Sequence, residues 1–226
     1  MHVTLAEELM LLSLDDESGV AKDAPTAAWA AAGGILAELV LAGRVTVEDG
    51  QLTVTDRTPT GDPLVDGRLA RLDAWAAGRR PGRAKAADWL TTDRTTAVAD
   101  TVARLCERGL VVEERRRAFG IFPVRRYPEA DGTVERELRG RLAAAVLDGA
   151  EPDLRTAALV ALLHGARLHR LAFPDLPHRQ VEPRFAQIAD GDGAAESVRE
   201  AIRAVQLTMI AVTTAATVAA TSAATV

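Results

Sequence analysis

Arginines surround a short apolar segment at residues 114–126, ERRRAFGIFPVRR. The basic residues that could bind phosphate oxygens are Arg115, Arg116, Arg117, Arg125 and Arg126. The large apolar residues between them that could enter a bilayer are Phe119, Ile121 and Phe122. Arginine near an anionic membrane contributes about 1 kcal/mol, and full burial of a large apolar side chain contributes roughly 1.5 to 3 kcal/mol. These residues therefore predict a lipid-binding segment for an anionic membrane surface.

The basic charge is confined to this part of the chain. The 226 residues carry a formal net charge of −5, although residues 115–126 contain five arginines and no acid. A chain that is acidic elsewhere is not a general nucleic-acid coat, so we expect one directed contact with an anionic partner and no nucleic acid.

The segment is predicted to be a projecting β-hairpin. Gly109 ends the preceding helix, Val111 and Val112 begin a strand, and the chain returns through VRRYP. Two alternatives remain for the hairpin. In the first, the tip packs on its own domain or, in a homo-oligomer, on a second copy of the chain. In the second, the hairpin is the wing of a winged-helix DNA-binding regulator. The preceding helix offers DNA only Arg104 and Arg108, beside acids.

Catalytic and metal-binding patterns are missing from the sequence. It contains no GxSxG, HExxH, P-loop or GxGxxG motif, so we predict no enzyme and no cofactor. His164 and His169 fall on one predicted helix over 153–171, about 140° apart around its axis, which predicts no metal site. A large polar cleft holding carboxylates with strongly shifted pKa values would instead indicate an enzyme.

The apolar pattern predicts a mainly α fold. A single helical domain over 1–212 has a buried central helix at 27–42 ringed by amphipathic helices, and an Ala/Thr-rich tail follows at 213–226. Thr4 and Glu7 form a capping box at the start of the first helix. Besides the basic hairpin, a second hairpin turns at the Asp-Gly pair 49–50. Further helices are predicted at 86–108, 132–147, 153–171, 180–190 and 194–212.

Compartment and source also follow from composition. The N-terminal residues lack the basic and uninterrupted apolar regions of a signal peptide, and the single Cys106 excludes an internal disulfide. We therefore expect a cytoplasmic protein that associates peripherally with a membrane. The scarcity of lysine and the abundance of alanine are typical of a GC-rich, bacterial genome.

Several segments occur together in an order that resembles the Golgi phosphoprotein 3 family. They are VTLAEELMLLSLDD, GGILAELVLAGRV, TPTGDPLVDGRL, LCERGLVVEE, IFPVRRYP and RTAALVALLHGARL, and the resemblance spans roughly residues 3–212. It implies a helical domain whose hydrophobic β-hairpin, here residues 111–128, inserts in membranes and helps the protein to oligomerise. It also implies an adaptor that recognises phosphatidylinositol 4-phosphate and retains client membrane enzymes.

The chain departs from the family at the head-group pocket. The family pattern has one Trp and three Arg at the pocket. The corresponding positions of this chain are Asp23, Ala32, Thr95 and Val98, none of which matches. Trp29 and Arg94 lie close by in the sequence and are the candidate replacements. The resemblance with these substitutions predicts less selective binding to anionic phospholipid.

Overall fold

The computed structural model describes residues 3–15, 18–80, 82–118 and 122–191, together with 202–203, 205–209 and 212–213. The side chains of 116–118 and 122–124 lie outside this description. The helices are α1 (Leu5–Ser13), α2 (Ala24–Leu41), α3 (Pro63–Ala77), α4 (Ala86–Glu107), α5 (Thr133–Val146), α6 (Leu154–Gly165), α7 (His169–Ala172) and α8 (His178–Ala189). The strands are β1 (Val45–Glu48), β2 (Gln51–Val54), β3 (Glu114–Ala118) and β4 (Phe122–Arg126).

The helix α2 is the centre of the fold, which is mainly α as predicted. It packs against α1, α3, α4 and α6, and its composition is almost entirely apolar. Within the described ranges, it is the one helix long and apolar enough to cross a membrane, with a mean hydropathy of 1.4, yet 61% of that window is buried in the protein. Burial of this kind is typical of a core helix.

Close approach between α1 and α2 requires a glycine. A Cβ atom built on Gly34 would lie 3.0 Å from the backbone nitrogen of Ala6. A larger residue at position 34 would therefore push the two helix backbones apart. Buried helical residues of the C-terminal segment, such as Met209 and Val212, cover the neighbouring surfaces of α2 and α6.

The helix α1 begins with the predicted capping box. The Thr4 hydroxyl accepts a hydrogen bond from the Glu7 backbone N–H at 3.3 Å, and the Thr4 N–H donates to the Glu7 carboxylate at 2.7 Å. The adjacent Glu8 is 1% exposed and pairs with Arg141 at 2.7 Å and Arg155 at 3.0 Å. Because α5 and α6 carry these arginines, the buried carboxylate fixes α1 against both helices.

The first hairpin also agrees with the prediction. β1 and β2 pair antiparallel, with Val45 opposite Val54 and Glu48 opposite Gln51. Asp49 and Gly50 have φ values of 49° and 71°, which is the left-handed backbone that a two-residue turn requires.

The prediction of one continuous helix over 153–171 is wrong. The helix α6 ends at Gly165, and α7 begins at His169 after Arg167, whose φ is 57°. The Leu168 N–H donates to the Leu163 carbonyl at 2.8 Å, and the Arg167 N–H donates to the His164 carbonyl at 3.0 Å. This pair of bonds closes a helix end that usually has glycine at the left-handed position. Arginine occupies that position here, so no glycine marks the break in the sequence.

Candidate functional site

The basic hairpin is an antiparallel ribbon between α4 and α5. β3 and β4 pair in a register that places Glu114 opposite Arg126, Arg115 opposite Arg125 and Ala118 opposite Phe122. The backbone prediction for this segment is therefore confirmed. Phe119 and Ile121 lie outside the described residues, as do the side chains of Arg116, Arg117 and Phe122.

One carboxylate, that of Glu113, forms ion pairs with two arginines of the ribbon. Arg115 and Arg125 face each other across the strands, and their side chains are 80% and 66% exposed. Glu113 lies 3.2 Å from Arg115 and 3.6 Å from Arg125. Like charges directly opposite each other destabilise a β-ribbon, and the contacts of these two arginines among the described side chains are to the same acid, Glu113. An excess positive charge therefore remains at this surface, beside the half-buried Arg126.

The base of the ribbon is fixed to the loop after α1. The Tyr127 N–H donates to the Gly19 carbonyl at 2.9 Å, and the Val112 N–H donates to the Pro128 carbonyl at 3.1 Å. A Cβ atom on Gly19 would lie 2.3 Å from the Tyr127 nitrogen, so only glycine permits this approach. Val20 and Val112 flank the junction and are 49% and 51% exposed. The base therefore presents apolar surface beside the arginines.

The structure brings together the two residues proposed for the head-group pocket. The Arg94 guanidinium carbon lies 4.7 Å from the centroid of the Trp29 ring, within cation–π range. Trp29 is 6% exposed, and Arg94 is half-buried. The contact joins α2 to α4, and Arg94 follows the buried Asp93 in the sequence. The tryptophan ring therefore holds the arginine in place at an edge of the protein.

The basic residues at the end of α4 are ion-paired within the protein. Arg104 lies 2.5 Å from Asp62 and 3.3 Å from the buried Glu7, and Arg108 lies 3.3 Å from the same Glu7 carboxylate. A winged helix would need these cations for DNA, whereas here they anchor α4 to α1. Nothing in the described part of the chain favours the DNA-binding alternative.

Two cavities among the described residues meet at Arg104. One of about 320 Å³ is lined in part by Arg68, Arg71 and Asp100, and another of about 570 Å³ is lined in part by Glu38 and Asp62. Three of the lining carboxylates pair with arginines: Asp100 with Arg68 at 2.8 Å, Asp62 with Arg104 at 2.5 Å and Glu38 with Arg155 at 3.1 Å. Neither cavity includes Trp29 or Arg94, so the contact between those two residues is separate from both cavities.

Three histidines lie together, although one continuous helix over 153–171 would have placed His164 and His169 on different sides. His164 Nδ1 is 3.1 Å from His169 Nε2, because the break after α6 turns the chain back on itself. His178 lies against the other side of His169, with ring centroids 4.4 Å apart. His169 is 2% exposed and also contacts Phe185. Burial first, and then the neighbouring His178 and His164, lower the pKa of His169 to about 4. Among the described residues, these histidines do not form a group that could hold a metal ion.

Acid is expected to destabilise the protein through His169. Its pKa is about 4 in the folded protein and 6.5 in an unfolded chain, so the unfolded state takes up the proton first. This stability is present above pH 6.5 and is lost as the pH falls toward 4. The free energy of unfolding should fall by about 2 kcal/mol between pH 7 and pH 5 from this group. Urea denaturation at both pH values measures it.

Two variants separate His169 from the other titrating groups. His169→Leu should lose this part of the pH dependence, whereas His178→Gln, which leaves His169 buried, should keep most of it. Parallel pH profiles for the wild type and His169→Leu would contradict the assignment.

A protein-family model described as Golgi phosphoprotein 3 (GPP34) matches residues 5–205. The match begins at the first residue of α1, includes both hairpins and the Trp29–Arg94 contact, and extends into the helical residues after 202.

Proposed function

This chain belongs to the Golgi phosphoprotein 3 (GPP34) family, and from that premise we propose that it is a peripheral membrane protein that binds anionic phospholipid through the β3–β4 hairpin. The family is one of non-enzymatic adaptors. In this proposal the arginines of the ribbon contact lipid head groups, and Phe119, Ile121 and Phe122 enter the acyl region. A cytoplasmic face of a membrane would supply the anionic surface.

The observation that carries the proposal is the exposed pair of opposed arginines. Arg115 and Arg125 share one carboxylate, so the ribbon holds positive charge at the expense of its own stability. Phosphate groups of a bilayer would relieve this repulsion. Because the Glu113 contacts are on an exposed surface, they are weak and exchange readily for phosphate.

Exposed apolar side chains at the hairpin base support the same orientation. Val20 and Val112 are about half exposed, and neither belongs to the buried core. Their position beside the ribbon provides apolar surface at the level where the head groups would lie. A second copy of the chain would also cover this surface, so we include a homo-oligomer through the hairpin in the proposal.

Trp29 and Arg94 are the proposed secondary head-group contact. The tryptophan ring orients the guanidinium group, and one arginine supplies a single bidentate contact to phosphate. The four family positions that would form a fuller phosphoinositide pocket carry Asp23, Ala32, Thr95 and Val98. We therefore propose that binding depends on lipid charge more than on head-group identity. As an adaptor, the protein would also bind a client membrane enzyme.

Vesicle co-sedimentation tests the proposal. Wild-type protein should bind phosphatidylglycerol vesicles, should not bind phosphatidylcholine vesicles, and should dissociate as salt is raised. Arg115→Gln with Arg125→Gln should weaken binding to the anionic vesicles roughly 25-fold, since each lost arginine removes about 1 kcal/mol.

Arg170→Gln with Arg179→Gln is the matched control. Both residues are exposed, and the pair removes the same charge from the α7–α8 side of the protein. Equal vesicle affinity for the hairpin variant and this control would contradict a role for the ribbon arginines. A phosphatidylinositol 4-phosphate arm at equal vesicle charge tests whether head-group identity matters.

A further inference from the structure

We propose that the first turn of α8, residues 177–182, is an acid-released cover of the His169 side chain, and that protonation of this imidazole opens the cover while the rest of the domain stays folded. The inference does not depend on the proposed function. It also goes beyond the acid destabilisation described above, because it assigns the structural change to one turn of the protein. The site is the corner at which the chain turns from α7 into α8.

The cover closes one side of a buried imidazole. His169 is 2% exposed, whereas His178, whose ring centroid lies 4.4 Å from that of His169, is exposed. Phe185 lies 4.6 Å from His169 and 6.0 Å from Phe173, measured between ring centroids. His178 therefore lies between the imidazole and solvent, and the aromatic rings and α6 enclose the other sides.

The two ring nitrogens of His169 differ in their hydrogen bonding. Its Nε2 lies 3.1 Å from Nδ1 of His164, whereas its Nδ1 is buried with no hydrogen-bond partner among the described residues. In the neutral ring this arrangement assigns the proton to Nε2, which donates to His164 and leaves Nδ1 unprotonated. A second proton, on Nδ1, creates a buried N–H donor without an acceptor, and opening to water removes that cost.

The charges around His169 do not stabilise its protonated form. Burial first, and then His178 and His164, lower its pKa, and no acid in the described ranges raises it. On α8, Arg179 and Glu182 belong to the cover itself. The buried acids of α1 and α5 are already paired: Glu7 with Arg104, Glu8 with Arg141 and Arg155, and Glu135 with Arg139. The imidazolium would therefore lack a counterion while the cover is closed.

The cover is weakly joined to the rest of α8. Pro183 has no backbone N–H, so the Arg179 carbonyl lacks the hydrogen bond that would join the first turn to the second. Val181 is the one buried residue of that turn. After the proline, Arg184 fixes the helix to the end of α5 by donating to the Ala145 carbonyl at 3.0 Å. Pro183 thus separates a weakly held turn from an anchored one, which allows the turn to open alone.

The pKa of His169 sets the size of the effect. It is about 4 under the cover and 6.5 for a solvated imidazole, so the open state binds the proton first as the pH falls. The closed state is favoured above pH 6.5, and this preference is lost as the pH falls toward 4. Between pH 7 and pH 5 the ratio of open to closed molecules should rise roughly 20-fold.

Hydrogen exchange of full-length protein, followed by NMR, measures the opening. After correction for the intrinsic exchange rate, the amides of residues 180–182 should exchange roughly 20-fold faster at pH 5 than at pH 7. Low concentrations of urea should leave this exchange unchanged but should accelerate exchange in α2, which requires global unfolding. His169→Leu should lose the pH-dependent increase, whereas His178→Gln, which keeps the titrating imidazole, should retain most of it.

A loss of the increase in His169→Leu, together with its retention in His178→Gln, supports the cover. An equal increase in His169→Leu overturns it, as does a urea dependence at residues 180–182 that equals that of α2. If circular dichroism shows that His169→Leu is unfolded, NMR titration of the wild-type imidazole takes its place. A His169 that titrates far below pH 6.5 supports the inference, and one that titrates at 6.5 overturns it.

Discussion

Arg68→Ala is expected to lower the free energy of unfolding by about 3 kcal/mol, measured by urea denaturation followed by circular dichroism at pH 7. Arg68 and Asp93 are each 2% exposed and are joined by a 2.9 Å contact between α3 and α4. Truncation leaves the Asp93 carboxylate buried without its principal partner. Arg71 remains 3.6 Å from Asp93, but it is a more exposed residue at a longer distance.

The pKa of Asp93 gives this prediction a second readout. Burial raises the pKa of the Asp93 carboxyl above its ordinary value even with Arg68 present. Without Arg68 the carboxyl should accept a proton more readily, so the destabilisation of Arg68→Ala should shrink as the pH is lowered toward 5.

Arg57→Ala is the control for Arg68→Ala. Arg57 also joins an aspartate of α3, but its side chain is 69% exposed, so the change should lower the free energy of unfolding far less than Arg68→Ala does. Replacing both buried partners, as Arg68→Met with Asp93→Leu, should recover most of the lost stability because no buried charge remains. Equal small losses for Arg57→Ala and Arg68→Ala would contradict the assignment of Arg68 as a buried structural cation.

Local sequence signals located most elements of the fold. The Asp-Gly pair at 49–50 predicted the first hairpin because its left-handed backbone is needed for the turn. Gly109, with a φ of 70°, predicted the end of α4 for the same reason. The break after α6 was missed because Arg167 takes the left-handed position where glycine is usual. The histidine contacts were missed with it, since they depend on the reversal of the chain.

The candidate site was only partly predictable from the sequence. The arginine clusters, the hairpin backbone and the nearness of Trp29 to Arg94 follow from residue type, spacing and the family resemblance. The pairing of both Arg115 and Arg125 with Glu113 depends on strand register, which the sequence does not specify to one residue. The burial of Glu7 and Glu8 could not be predicted from the sequence either, because their arginine partners lie more than 95 residues further along the chain.

The apolar residues of the hairpin are expected to have the largest effect on membrane binding. Full burial of each phenylalanine contributes roughly 1.5 to 3 kcal/mol, and an aspartate in its place adds a charge that the bilayer repels. Phe119→Asp with Phe122→Asp should therefore weaken binding to anionic vesicles by roughly 100-fold or more.

Leu147→Asp with Leu154→Asp controls for the added charge and for the loss of exposed apolar surface. These leucines are 48% and 39% exposed at the connection between α5 and α6. The two pairs introduce the same charge, so a difference between them reports on the position of the hairpin. Circular dichroism spectra of both variants should match that of the wild type, which shows that the helical domain remains folded.

The most direct measurement is co-sedimentation of full-length Phe119→Asp with Phe122→Asp on phosphatidylglycerol vesicles, at the salt concentration used for the wild type. We expect the variant to stay in the supernatant while the wild type and the Leu147→Asp with Leu154→Asp control sediment with the vesicles. Sedimentation of the hairpin variant to the same extent as the wild type would contradict insertion of the hairpin in the membrane.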